Sequence, residues 1–238
     1  TNSVGSGNLG DFTGFALQNF VLGGTPVLVT SGNVYGWSWS ENIGWISFNN
    51  SGATDSQGNN IPGGGGSSYG VNIETNGNLT GYAWSENIGW IRFDAAGPYP
   101  ATPSHSACVN LVGQTACDSA GDNSVTGWAR ACSVFQTGCG GALDLNRGGW
   151  DGWIQLNNLW INSSVTPAEF RYWAWGGNPD NDVNKSVIGW GTFNCIDPNT
   201  GVNNGSVCTI NYKVVTTFPF SQPPQVGSMN KTDDYCNS

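Results

Sequence analysis

Charge is scarce in this chain: Asp, Glu, Lys and Arg make up 10% of its 238 residues, against roughly 25% in an ordinary globular protein. Seven of those residues are Lys or Arg and the net charge is −9. The basic footprint of a nucleic-acid-binding protein is therefore missing, and an anionic membrane surface would repel the chain. Histidine is as rare, with His105 the single copy. It lies in the polar stretch Pro103 to Ser106 with no nucleophile-elbow motif, so it reads as an exposed loop residue and not as the base of a triad. No HExxH, P-loop or GxGxxG context is present. No CxxC pair or Cys/His cluster occurs, which argues against structural zinc and covalent haem. No run approaches the ~20 apolar residues of a membrane helix. The best stretch, Phe15 to Val29, is interrupted by Gln18, Asn19, Gly23, Gly24 and Pro26. These features predict no direct membrane span, and the start at Thr1 without a signal peptide fits a processed N-terminus.

Aromatic residues, glycine and cysteine are plentiful instead. The chain has 12 Trp, 10 Phe, 7 Tyr and 36 Gly. Each buried Trp or Phe covers about 150–250 Å², so a sizeable core is feasible despite the glycine. Of the seven cysteines, six fall into local pairs: Cys108 with Cys117, Cys132 with Cys139, and Cys195 with Cys208. That order suits disulfides formed in an oxidising compartment, although other connectivities are open. Cys236 is left over, either free, drawn into a rearranged pairing or linked to another chain. Sequons at Asn49, Asn78, Asn162, Asn184, Asn204 and Asn230 are weak evidence of glycosylation in an Asn-rich chain.

Internal repetition decides the fold class. Residues 36–48 read GWSWSENIGWISF and residues 81–93 read GYAWSENIGWIRF. A third copy is split into GWARACS (127–133) and GWDGWIQL (149–156), and a fourth into YWAW (172–175) and VIGWGTF (187–193). Their first residues, Gly36, Gly81, Gly127 and Tyr172, recur about every 45 positions, a period of repeat architectures. Each copy reads as a hairpin. Tyr82 and Trp84 alternate with Gly81, Ala83 and Ser85, Ser-Glu-Asn-Ile-Gly makes the turn, and Ile91 and Phe93 alternate with Trp90 and Arg92. The small face lets another sheet or backbone approach. Tyr69 to Glu74 adds a strand, joined through Asn76 and Gly77, a hairpin signal. The expected fold is all-β: about four antiparallel meanders, propeller-like or sandwich-like, stapled by disulfides. The insertions in copies three and four fall at hairpin tips, where they cost little closure entropy. Thr166 to Glu169 resembles a capping box, but Phe170 to Trp175 aligns with a repeat strand, so a short turn is expected there. These repeat strings resemble those of surface proteins from candidate-phyla bacteria with small genomes, over roughly residues 31–194. The resemblance implies an exported, cell-surface location and carries over no catalytic residue.

Three regions follow: an extended segment at 1–30, a repeat domain at 31–194, and a strand with an extended tail at 195–238. Residues 209–218 form an amphipathic strand. That strand and the segment Phe12 to Leu22 each suit this chain's own sheets, or donation to a neighbour's sheet edge in a head-to-tail homopolymer. Repeat-invariant tryptophans should fill each unit's core: Trp37, Trp39, Trp45, Trp84, Trp90, Trp128, Trp153, Trp173, Trp175 and Trp190. Trp150 and Trp160 fall outside the shared frame and are the candidates for stacking on glycans. Glu41 and Glu86 could mimic a glycosidase carboxylate pair, but a turn role suits them better. Asn178 to Asn184, with Asp180 and Asp182, is a weak calcium candidate that lacks the Gly and terminal Glu of an EF-hand loop. The expectation is a non-enzymatic, extracellular structural subunit of a pilus-like filament or surface layer that self-assembles by strand addition. Its rival is a carbohydrate-binding adhesin, and no cofactor beyond calcium is implied.

Overall fold

The computed structural model describes residues 31–49, 69–115, 117, 121–177, 187–195 and 212–220. All regular elements among these residues are strands, apart from one 3-10 turn at Cys132–Val134. Each repeat contributes a long strand, a return strand and a connecting strand. In order these are β1 (Gly32–Ser40), β2 (Gly44–Ser47) and β3 (Val71–Ile73), then β4 (Leu79–Ser85), β5 (Gly89–Arg92) and β6 (Cys108–Val109). The third set is β7 (Ser124–Thr126) with β8 (Trp128–Ala131) as its long strand, then β9 (Trp153–Gln155) and β10 (Leu159–Asn162). The fourth is β11 (Ala168–Gly176), β12 (Gly189–Thr192) and β13 (Val214–Thr216).

The strands form two stacked rings that share the long strands. In one ring, the hairpins β1/β2, β4/β5, β8/β9 and β11/β12 pair side by side. The links between hairpins are β2–β4, β5–β8, β9–β11 and β12–β1. In the other ring, β3 joins β1 to β4, β10 joins β7 to β11, and β13 joins β11 to β1. The last link runs from β6, paired with β7, through an Asn78–Cys108 bridge to the start of β4. The sheet therefore closes on itself, which settles the choice between propeller and sandwich in favour of neither. The expected turn before β11 is present, with Thr166–Pro167 a cis peptide and no helix.

The long strands change rings at a kink, and the kinks sit at the four repeat starts: Gly36, Gly81, Gly127 and Tyr172 have φ of 99°, 88°, 86° and 71°. At Gly81 a Cβ would lie 2.1 Å from the Gly70 carbonyl oxygen, so no side chain fits there.

The core inverts the expected facing. Inside the hairpin ring are the small residues Ser38, Ala83, Ala129 and Ala174 from the long strands. Phe48, Phe93, Leu156 and Phe193 face them from just beyond the return strands. An eight-stranded barrel is only wide enough for side chains to fill it, and alternating small and large residues suit its taper. Four pairs of indoles do not fit. Trp37, Trp39, Trp45, Trp84, Trp90, Trp173 and Trp175 are therefore half-buried on the outer face, and Trp190 is exposed. Trp128 and Trp153 alone of the predicted core tryptophans are fully buried. Trp150, expected at the surface, is buried in the same cluster as Ile43, Ile88 and Ile188.

Two disulfides pair Cys108 with Cys117 and Cys132 with Cys139. Cys195 is disulfide-bonded too. Cys208, its expected partner, and Cys236 lie outside the described residues, as do residues 1–30. Within the strand expected at 209–218, Val214–Thr216 forms β13, spent inside this chain's own sheet between β1 and β11; residues 209–211 lie outside the described residues.

Candidate functional site

Directly opposed residues on one sheet face bring their side chains together, and here the register opposes tryptophans on the outer face. Trp39 faces Trp45, Trp84 faces Trp90, and Trp175 faces Trp190. Their ring centroids are 4.7, 4.6 and 4.8 Å apart. The third hairpin places Arg130 opposite Trp153 instead, with its guanidinium 4.3 Å from that ring, a cation–π contact. A second aromatic from each long strand meets the same return-strand tryptophan edge-on. Trp37, Tyr82, Trp128 and Trp173 lie 6.3, 6.3, 6.3 and 6.1 Å from Trp45, Trp90, Trp153 and Trp190. Each hairpin thus carries one hub tryptophan with two flanking groups.

Three hubs are also capped by a tyrosine from the connection that precedes them around the ring. Tyr212 covers Trp45 at 5.1 Å, Tyr69 covers Trp90 at 5.1 Å, and Tyr99 covers Trp153 at 5.4 Å. Two caps are held by a hydroxyl of the neighbouring return strand. Tyr69 donates to Ser47 Oγ at 2.9 Å, and the Tyr212 hydroxyl pairs with Thr192 Oγ1. Burial pushes the Tyr212 phenol up, with the Thr192 contact opposing. Tyr99 turns instead to the Ala95 carbonyl, at 3.0 Å. The connection between β9 and β10 is only Leu156 to Asn158 and holds no aromatic residue. The fourth hub, Trp190, consequently has no cap among the described residues and is 52% exposed.

The same corner holds a second departure from the repeat. Tyr172 replaces glycine at the kink, keeps the left-handed φ, and is 45% exposed. A bulky residue in that region is uncommon and costs of order 1–3 kcal/mol. Its ring lies 5.7 Å from Trp173. Alongside, Trp160 pairs with Arg171 across β10 and β11 and is 36% exposed, its indole donating to the Asp122 carbonyl. Glu169 accepts from Arg171 at 2.8 Å and from Lys213 at 2.6 Å. Gln155 lies opposite Trp175 and makes no side-chain hydrogen bond among the described residues. The Trp175 indole nitrogen is buried without a partner. The result is an aromatic platform, Tyr172–Trp173–Trp190, with Trp160 set beside Arg171 on the adjoining strand. Stacking on apolar ring faces with hydroxyls bonded at the rim is what it can do.

The other sequence candidates do not converge on it. Glu41 and Glu86 are exposed in the turns of the first two hairpins, and Asn42 and Asn87 there are held by Ser40 Oγ and Ser85 Oγ. His105 is half-buried, not exposed, because it packs against the Gly127 kink with Nδ1 2.8 Å from the Ser106 oxygen. Asp180 and Asp182 lie outside the described residues. Reading from the sequence placed Trp190 in the core, whereas it is exposed, and did not single out Tyr172, because it assigned repeat tryptophans to the core. The available signal was the loss of both the kink glycine and the capping tyrosine in one corner. In comparisons with family models, curated proteins and solved structures, nothing matches the chain.

Proposed function

We propose that this protein is a non-enzymatic, extracellular carbohydrate-binding module, a surface adhesin that holds a glycan on the aromatic platform of its fourth hairpin. One observation carries the reading: of four equivalent hub tryptophans, Trp190 alone is left open among the described residues, beside an exposed, strained Tyr172. Disulfides support an oxidising location. No helix among the described residues is long and apolar enough to cross a membrane.

A glycan array followed by calorimetry tests the reading. Trp190→Ala should weaken binding about 30-fold or more, since truncating a tryptophan anchor typically costs ~2 kcal/mol or more. Its melting temperature should stay close to that of the parent, because the side chain is half in solvent already. An array without hits sinks the reading.

The architectural subunit is the second reading. The closed, disulfide-stapled sheet favours it as a rigid building block. In that reading assembly proceeds through outer faces or through residues outside those described, because β13 is spent within its own chain. Negative-stain electron microscopy of the unheated protein tests it: filaments or sheets of fixed repeat support it, and dispersed particles count against it.

A further inference from the structure

The three capped hubs show what the open one is shaped to receive. In the first hairpin the cap ring meets Trp45 edge-on and its hydroxyl reaches Thr192, which is paired with Trp39. In the second it meets Trp90 edge-on and reaches Ser47, which is paired with Trp84. Ser47 and Thr192 each stand two residues after the hub tryptophan of the preceding hairpin. Around the fourth hub the residue at that position is Gln155, two after Trp153 and paired with Trp175. The fourth corner therefore repeats the hub, the flanking indoles and a polar residue at the hydroxyl position, and lacks only the ring.

We propose that a single sugar ring of the glycan occupies, over Trp190, the place that tyrosine rings occupy over Trp45 and Trp90, and that Gln155 binds its outer hydroxyl. A pyranose offers the required parts: C–H groups to set against the indole and a hydroxyl on the far side of a six-membered ring. Gln155 is thereby the residue that selects for the position of that hydroxyl. Its carboxamide donates and accepts, so it serves a hydroxyl in either sense. The sugar identity of the ring rests on the function proposed above; the ring position and the role of Gln155 rest on the repeat geometry.

The test uses the full chain labelled with 5-fluorotryptophan and observed by fluorine NMR, the Trp190 signal being assigned by its loss in Trp190→Phe. Two probes are titrated: cellopentaose, and p-cresol, which is the tyrosine side chain as a free molecule. The expected result is that both move the Trp190 signal and compete with each other. Gln155→Leu should weaken both about fivefold, the worth of one ordinary hydrogen bond. Gln155→Thr, which copies Thr192, should retain binding to within about twofold. If p-cresol behaves this way and neither cellopentaose nor any array glycan binds, the ring position stands and the carbohydrate reading falls. If a glycan binds without competition from p-cresol and without response at Gln155, the inference is overturned while the function survives. If neither probe nor any array glycan moves the Trp190 signal, both are overturned.

Discussion

At the scale of the residue, one position distinguishes scaffold from site. The repeat demands a left-handed conformation at its first residue, and three copies meet that demand with glycine. Gly81→Ala should be severely destabilising, since its Cβ would press into the Gly70 carbonyl; loss of a cooperative thermal transition is the expected readout. Tyr172→Gly should do the reverse. Relieving a strained φ is worth about 1 kcal/mol or more, which raises the melting temperature by roughly 2–4 °C in a chain of this size. On the proposed function the same change should also weaken glycan binding, because the ring leaves the platform. Charge at single residues predicts a pH dependence as well. Asp94 is held below the usual carboxylate range, chiefly by its hydrogen bond from Arg92, and Asp122 chiefly by the Ser124 hydroxyl. A depressed folded-state pKa gives stability that is present above the unfolded value, about 3.9, and is lost as pH falls through the folded value. Melting temperature should therefore decline below about pH 4, and less so in a double Asp94→Asn, Asp122→Asn variant. Both groups are partly solvated, so the difference should be modest.

At the scale of the element, each hairpin is a two-sided plate whose faces were easy to separate and hard to assign. Alternation in GYAWSENIGWIRF divides Tyr82, Trp84 and Trp90 from Ala83, Ser85 and Ile91, and the structure keeps that division. Hydrophobicity then points the aromatic face inward, and that inference fails, because barrel radius and not hydrophobicity decides which face is inside. Ser38 and Ser85, on the small face, are fully buried. The hairpin turns and the local disulfides Cys108–Cys117 and Cys132–Cys139 were legible, since each depends on residues close together in the chain. Ring closure and the missing fourth cap were not, because they depend on how long the connection of another repeat is. The plates also differ in one interior layer. Ile46, Ile91 and Ile154 line the ring, while the fourth return strand offers Gly191. A cavity of about 20 Å³ lies among these side chains. A Cβ on Gly191 meets nothing within 4 Å, and its φ is not left-handed. Gly191→Ala should therefore stabilise the fold by about 0.4–1 kcal/mol through the unfolded chain alone, with a further gain from filling the cavity. A denaturant midpoint that falls would show that the layer is already full.

At the scale of the whole molecule, closure places a large burden on its last strand. β13 is three residues long, Val214–Thr216, yet it joins β1 to β11 and so unites the first and last repeats. Val214 is fully buried, and the Thr217 and Phe218 that follow remain in contact with the start of β1: Thr217 donates to the Asn33 carbonyl, and Phe218 packs beside Gly32. Tyr212, at the head of this segment, caps the first hub. Removing the segment would open the sheet, bare the edges of β1 and β11, and uncover Trp45. A chain ending after Cys195 is therefore expected to lose its cooperative transition and to aggregate through the unpaired edges. Adding a synthetic peptide of residues 209–220 should restore cooperative melting if the strand acts as an independent staple. The result bears directly on assembly. If the truncated chain stayed folded and monodisperse and merely failed to polymerise, the segment would be a donor strand for a neighbour. Pairing on both of its edges within one chain makes unfolding the expected outcome instead.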